Sequence, residues 1–284
     1  FCKDNDLKSL NNYEALFDND LQGIVVATPN MLRKGQIIKA LNEGKAVFSQ
    51  KPLGCTLEDA LEIIKTAKET NCLLMTDHSY RPTHSLRKIK NLIESGDLGE
   101  VYAANFTFHN SSGPDKSWYY DPALSGGGCM MDLGVNLIDS LYWLFPDVKI
   151  EQLSSNLYVA GQKLCDPQTQ VEDFAMVNIT FTNGLNTQIN CSWNLSVGKD
   201  AIIEMNFYGT KGGATFRNVN GSVYDFKSEH YKGTRRQVLS LPPDDWGGKD
   251  AAHWASLLAT KNEYQHETDN YIKTAQMIDL IYGR

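Results

Sequence analysis

Asp132 and Asn136 stand four residues apart, just after the triplet Gly126-Gly127-Gly128. The spacing predicts that a helix begins there and that a carboxylate and an amide project from one of its faces. Glycines lacking Cβ let backbone come close to a bound ring, which makes Gly127 a candidate contact for substrate. Lys51 stands before Pro52 at the end of an apolar run, Ala46-Val47-Phe48. A lysine approached by desolvation shifts its pKa and can give or take a proton. Carboxylate, amide and lysine together are able to grip a polyhydroxylated substrate. Trp118, Tyr119 and Tyr120 precede the triplet, and their rings serve either a sugar's apolar face or a core. The plainer alternatives are an Asp132 that caps its helix, an Asn136 buried as a core amide and a Lys51 solvated at the surface.

These residues need elements to hold them. Gly23 to Ala27 and Ala46 to Phe48 are short, continuous apolar runs, as is Leu73-Leu74-Met75. Such runs read as parallel strands buried on both faces. Between them, residues 31–43 carry Ile37, Ile38 and Leu41 on one face and close at Gly44. Thr56 with Asp59 caps a second helix striped by Leu57, Leu61, Ile64 and Ala67. Strand and helix alternating in this way are the grammar of a doubly wound α/β sheet, which places Thr28-Pro29-Asn30 and Gln50-Lys51-Pro52 at strand ends, where such sheets bind ligands.

After Asp77 the pattern changes. A helix is expected near 84–95, and residues 101–108, 176–182, 187–193 and 202–208 alternate as antiparallel strands do, with Tyr102, Ala104, Phe106 and Phe108 on one side. The glycines at 209–213 and 220–221 predict hairpin turns, 227–250 reads as an irregular loop, and a last helix is expected near 268–282. Two domains follow: residues 1–76 as an N-terminally incomplete dinucleotide-binding unit, and residues 77–284 as an α+β unit built on a large, mostly antiparallel sheet.

The ordered set of strand-Ala27-Thr28-Pro29-Asn30, strand-Gln50-Lys51-Pro52, Tyr80-Arg81 and Gly126-Gly127-Gly128 followed by Asp132, Gly134 and Asn136 resembles the Gfo/Idh/MocA family of sugar and cyclitol oxidoreductases. The likeness runs from about Tyr13 to the C-terminus. It implies NAD or NADP as cofactor, with Thr28, Pro29, Asn30, Gln50, Lys51, Pro52 and Arg81 on the cofactor side. It implies Lys51, Asp132 and Asn136 as catalytic, and Trp118, Tyr120, Gly127, Asp132 and Asn136 around the substrate. Three positions depart from the pattern. Asn136 stands where the family usually has a catalytic histidine, Gln50 replaces a glutamate, and Arg33 replaces a frequent histidine. An asparagine hydrogen-bonds a hydroxyl but exchanges no proton in water, so proton transfer falls to Lys51 or to Tyr119, Tyr120 or His109. Within the same fold, an NAD-using lyase or glycosidase and a non-catalytic binding or partner subunit remain as alternatives.

No Gly-x-Gly-x-x-Gly follows a first strand in these 284 residues. Either some 40–70 residues precede this chain, judged from the dimensions of a βαβ unit, or half the mononucleotide unit has been lost. Phe1-Cys2-Lys3-Asp4 reads as a strand end with Asp4 as a ribose carboxylate, or as a polar surface segment. A net charge of −7 argues against nucleic acid, whose phosphates want a basic surface. No apolar run reaches the roughly 18 residues that cross a bilayer, and residues 1–20 carry no leader pattern. Six scattered cysteines without CxxC spacing predict neither disulfides nor a metal site, and with the missing leader they predict a cytoplasmic protein. An open apolar sheet face needs cover, so a homodimer or homotetramer through the antiparallel sheet is expected, as the resemblance also implies.

Overall fold

The computed structural model describes residue 2 and residues 4–284. The strand-end reading of residues 1–4 falls partly on Phe1 and Lys3, outside the described residues, and Asp4 lies in a turn. The chain then builds a three-stranded parallel sheet from β1 (Gly23–Val26), β2 (Ala46–Ser49) and β3 (Leu74–Thr76), in that order. Helices α1 (Asn30–Asn42) and α2 (Leu57–Thr70) make the crossovers. Thr56 caps α2 by accepting from the Asp59 amide, as its sequence predicts. Ile24, Val26, Ile37, Leu41, Val47, Ile63, Ile64 and Leu74 form the core of this unit. β1 pairs only with β2 among the described residues, and Val25 on it is 59% exposed.

Helix α3 (His84–Glu94) leads into β4 (Val101–Asn110), and α4 (Pro122–Ser125) precedes the glycine triplet. A π-helical turn, Met130–Gly134, runs straight into α5 (Val135–Leu144). The remaining strands are β5 (Ile150–Val159), β6 (Gln162–Lys163), β7 (Phe174–Phe181), β8 (Asn186–Ser192), β9 (Ala201–Gly209), β10 (Gly213–Asn218), β11 (Phe226–Lys232) and β12 (Arg235–Ser240). With β4 they form one sheet in the order β12-β11-β10-β9-β4-β8-β7-β5-β6. Helix α6 (Lys249–Thr260) and helix α7 (Tyr271–Tyr282) end the chain.

The large sheet is mostly antiparallel, as expected, with one parallel pair: β4 runs parallel to β8 while pairing antiparallel with β9, because the chain makes a long crossover between β4 and β8. Other expectations are corrected. Tyr102 does not join Ala104, Phe106 and Phe108 in the core but is 54% exposed, since the β4–β9 register shifts between Val101 and Ala103. Residues 227–250 are not an irregular loop. They hold most of β11, all of β12 and the start of α6. β11 buries Ser228, Glu229 and His230 along with Phe226, and β12 is an edge strand of largely exposed residues, so neither shows apolar alternation. The outer face of the sheet carries Asn105, Asn178, Thr180, Asn186 and Gln188, so it is an amide-rich surface and not the open apolar one expected.

Helix α5 is buried on every side, from Val135 to Tyr142. The C-terminal helices return to the small sheet. Trp254 of α6 packs on Phe48 with ring centroids 5.9 Å apart, and the Tyr271 hydroxyl of α7 accepts from the Thr76 amide at 3.0 Å. Further along α7, Met277, Ile278 and Ile281 enter the core of the large sheet. One helix is thus shared between both units, which fixes α5 against the strand ends of the small sheet.

Candidate active site

Two turns at the carboxyl ends of β1 and β2 are locked by a single side chain. Arg33, on α1, is buried and donates to the carbonyls of Thr28 (2.8 Å), Gln50 (3.3 Å), Lys51 (2.5 Å) and Pro52 (3.1 Å). Desolvation lowers its pKa to about 10, so it stays charged near neutrality. Other side chains of these turns are also engaged: Thr28 donates to Gln36, Asn30 to the Ser125 carbonyl, and Gln50 to Asp77. Thr28, Pro29, Asn30, Gln50 and Pro52 therefore shape the strand ends through fixed backbone, and the amides of Asn30 and Gln50 already have protein partners.

Lys51 points from this rim toward the large sheet. Its Nζ donates to the Asp132 carbonyl at 2.5 Å and to Asp132 Oδ1 at 2.7 Å. Oδ2 of the same carboxylate accepts from Trp193 Nε1 at 3.2 Å. Lys51 and Asp132 retain 20% and 15% of their side-chain exposure, so the pair is sheltered yet reachable. Trp193, only 2% exposed, was not singled out as functional by sequence reasoning. It lies on the chain just beyond β8, and only the fold brings it to Asp132. Tyr119 and Tyr120 set their rings edge-on to it, and Trp118 stacks on Tyr119 at 3.8 Å. Burial, then the Asp132 charge, pushes Tyr119 up to about 12, so it stays a hydroxyl. His109 faces the Ser192 hydroxyl at 2.8 Å, and burial lowers its pKa.

The expected α-helix at Asp132 is instead π-helical, with the Val135 amide reaching back to Met130 O. Asn136 is nearly buried, and its Nδ2 donates to the carbonyls of Asp132 (3.2 Å) and Leu133 (3.4 Å). Asp132 and Asn136 do meet, but the amide donates to helix backbone and shares the Asp132 carbonyl with Lys51.

The glycine triplet answers to packing. A Cβ on Gly127 would lie 2.2 Å from the Tyr282 hydroxyl, and one on Gly128 would lie 1.9 Å from the Glu172 carbonyl. A close approach at Gly127 is thus made by the protein's own Tyr282. The Glu172 carboxylate, fully buried, accepts from the amides of Gly128 (3.0 Å) and Met130 (2.8 Å) and from the Tyr282 hydroxyl (2.7 Å). It clamps the start of the segment that carries Asp132. Burial raises its pKa, an effect its three donors oppose. No local pattern marks this role, because its partners lie some 40 and 110 residues away.

Arg81 is committed elsewhere. Its Nε donates to Asp139 Oδ2 at 2.7 Å and its Nη2 to Oδ1, and His78 Nδ1 lies 3.0 Å from Oδ1. Burial alone would raise the Asp139 carboxyl, but Arg81 and His78 outweigh it and hold it well below the usual range. Arg81 therefore braces α5 against the β3 end, with its Nε and Nη2 both taken by Asp139. Among the described residues no group of three or more His, Cys, Asp or Glu is placed to hold a metal, and no helix is long and apolar enough to cross a membrane.

A small parallel sheet whose strand ends meet a helix from a large mixed sheet defines a two-part α/β and α+β architecture with a Rossmann-like first unit. Residues 1–78 match the NAD-binding Rossmann-fold model of the GFO/IDH/MocA oxidoreductase family, and residues 86–215 match a C-terminal domain model of the same family. The chain belongs to that family. It is 31% identical over 215 residues to a 1,5-anhydro-D-fructose reductase of Ensifer adhaerens, covering 75% of this chain and 62% of the relative. It is 29% identical to a D-glucoside 3-dehydrogenase of Escherichia coli, covering 77% and 67%. The chain thus spans about two thirds of the length of these relatives. A 3-ketoreductase from Actinomadura kijaniata, solved with NADP and TDP-benzene, superposes with a TM-score of 0.85 at 19% identity, covering 100% of this chain and 84% of that one. An NAD-binding protein from Listeria innocua gives 0.79 at 25% identity, covering 99% and 82%.

Proposed function

We propose that this chain carries the substrate-side machinery of an NAD- or NADP-dependent oxidoreductase acting on a secondary alcohol of a sugar or related cyclitol. The observation that carries the reading is the 2.7 Å contact of Lys51 Nζ with Asp132 Oδ1 across the two sheets, at the carboxyl ends of the parallel strands. Open α/β sheets take their ligands at that edge. The described residues suit the nicotinamide end of a dinucleotide: two rigid turns, 28–30 and 50–52, frame the tip where Lys51 stands. A glycine-rich pyrophosphate turn is not among them.

When bound, the nicotinamide supplies hydride exchange at its ring carbon. The chain's own residues do the rest. Lys51 faces the substrate hydroxyl: as the free amine it takes the hydroxyl proton during oxidation, and as the ammonium it gives one during reduction. Asp132 holds the ammonium and is itself fixed by Trp193. Trp118, Tyr119 and Tyr120 give the sugar an apolar wall, and Asn136 stiffens the helix at the Asp132 carbonyl. In this reading, residues 1–76 form the cofactor domain and residues 77–284 the substrate domain, with α6 and α7 returning to brace the former. A cytoplasmic homodimer or homotetramer joined through the amide-rich sheet face belongs to the same proposal.

A non-catalytic partner subunit is the second reading, favoured by the engagement of Asn136 with helix backbone. Nicotinamide-fluorescence titration with NADH and NADPH, followed by cofactor-coupled assays on a panel of pyranosides and inositols, separates the two. Saturable binding with turnover supports the oxidoreductase. Binding of neither cofactor rejects it.

A further inference from the structure

Asn136 cannot carry a proton, and the structure offers a histidine that can. Behind Lys51 lies a cavity of about 30 Å³, lined among others by Lys51, Thr76, His78, Asn136 and Asp139. That is room for about two waters, since one needs roughly 10–15 Å³ measured in this way. A buried water also needs polar partners, and two stand there unsatisfied. Thr76 Oγ1 and His78 Nε2 are both buried with no hydrogen-bond partner among the described residues. Leaving such atoms dry costs about 1–3 kcal/mol each, so waters between them are strongly favoured.

The orientation of His78 is fixed by its neighbours. Asp139 is held ionised by Arg81 and can only accept, so the His78 Nδ1 that lies 3.0 Å from it carries the proton. In the neutral ring Nε2 is then a lone-pair acceptor. The other charged and titratable groups around the ring are Arg81, Asp250, which accepts from the His78 amide at 2.9 Å, neighbouring Asp77, and Tyr271, whose ring lies 4.8 Å away. On its other side His78 borders a wider groove of about 300 Å³ with Asp250 and Glu267, open to solvent. The imidazole thus stands between the cavity at Lys51 and the outside.

We propose that His78, oriented by Asp139, is the relay that exchanges protons between Lys51 and solvent through cavity water, in place of the histidine absent at position 136. The inference rests on the oxidoreductase reading for its direction. In alcohol oxidation a bound nicotinamide would supply the hydride acceptor, taking the carbon's hydrogen with its electron pair. Lys51 first gives a proton through cavity water to His78 Nε2, and the resulting amine then takes the hydroxyl proton. One neutral imidazole becomes one imidazolium, and the neutral ring is restored when a proton is given up to solvent. Reduction runs the same path inward.

Two readouts test this. In protein labelled with ¹⁵N at its six histidines, with His78→Gln assigning the signal, long-range ¹H–¹⁵N correlation should show neutral His78 as the Nδ1–H tautomer. The His78 ring ¹⁵N resonances should move in Lys51→Met, which removes the group at the other end of the cavity. An Nε2–H tautomer, or ring resonances indifferent to Lys51→Met, overturns the relay whether or not a sugar substrate has been found. In turnover, His78→Gln should lower kcat about 10²-fold, the low end of general acid–base effects, with sugar KM unchanged and the loss shrinking toward alkaline pH. An unchanged kcat overturns the relay. Absence of turnover in the wild type overturns the oxidoreductase reading, and the NMR arm still decides the histidine's connection to Lys51.

Discussion

Lys51 and Asp132, separated by 81 positions in the chain, share a 2.7 Å ion pair in which the carboxylate's second oxygen is held by Trp193. The lysine comes from the rim of one sheet and the aspartate from a helix of the other. Trp193→Phe removes the indole N–H while keeping most of the ring's bulk. A hydrogen bond to a charged group contributes about 1.5–3 kcal/mol, so kcat/KM should fall roughly 10- to 100-fold and Tm should drop by several degrees. Steady-state kinetics beside thermal denaturation checks both halves.

Asn136 and Lys51 should separate in their effects. Lys51→Ala is expected to abolish hydride transfer, whereas Asn136→Ala should raise sugar KM more than it lowers kcat, because its amide stiffens backbone and carries no proton. Comparable loss of kcat in both variants would remove this assignment.

Glu172 anchors the helix start from a distance. Glu172→Leu leaves the Gly128 and Met130 amides and the Tyr282 hydroxyl buried without their acceptor. At about 1–3 kcal/mol for each unsatisfied group, the loss should exceed 3 kcal/mol in urea denaturation. A loss below 1 kcal/mol would mean that the clamp is decorative.

The glycines give opposite signs at two positions. Gly35 lies within α1 with nothing within 4 Å of a built Cβ, so Gly35→Ala should stabilise by about 0.5–1 kcal/mol. Gly128→Ala meets backbone at 1.9 Å and should cost several kcal/mol, on the order of 3, as overpacking does. Chemical denaturation of the two variants side by side settles it.

The acid limb of stability should report Asp139. Its carboxyl is held below the ordinary 3.8 by Arg81 and His78 despite burial. A folded-state value below the unfolded one means that the unfolded chain binds the proton more readily. The stabilisation is therefore present above pH 3.8 and is lost as pH falls through and below it. Asp139→Asn should flatten that limb and lower neutral stability by about 3 kcal/mol, since Arg81 loses its buried partner. Urea midpoints between acid and neutral pH measure both.

What could be read from residue order follows from how local each signal is. β1, β2 and β3 are short apolar runs, and Thr56 with Asp59 caps α2 within one turn, so the small sheet was legible. Lys51 and Asp132 stood out as types at strand and helix ends. The rest depends on partners far along the chain. Trp193 and Glu172 take their roles from contacts 61 and 44 residues away, which no local spacing encodes. The π-helical turn at Met130–Gly134 hides behind an ordinary helical pattern, and it changes what Asn136 does. β11 and β12 lack apolar alternation because one buries polar side chains and the other is an exposed edge. The parallel pairing of β4 with β8 is a property of the crossover and leaves no trace in either strand's residues.

On the proposed reading, Lys51 moves the substrate's hydroxyl proton at the tip of the cofactor domain. Cofactor reduction with a reactive sugar, in the wild type and in Lys51→Met at cofactor occupancy matched by nicotinamide fluorescence, measures this. Retained cofactor binding and a kcat reduced at least about 10²-fold are expected in the variant. Equal turnover at equal occupancy would rule out Lys51 as the proton carrier.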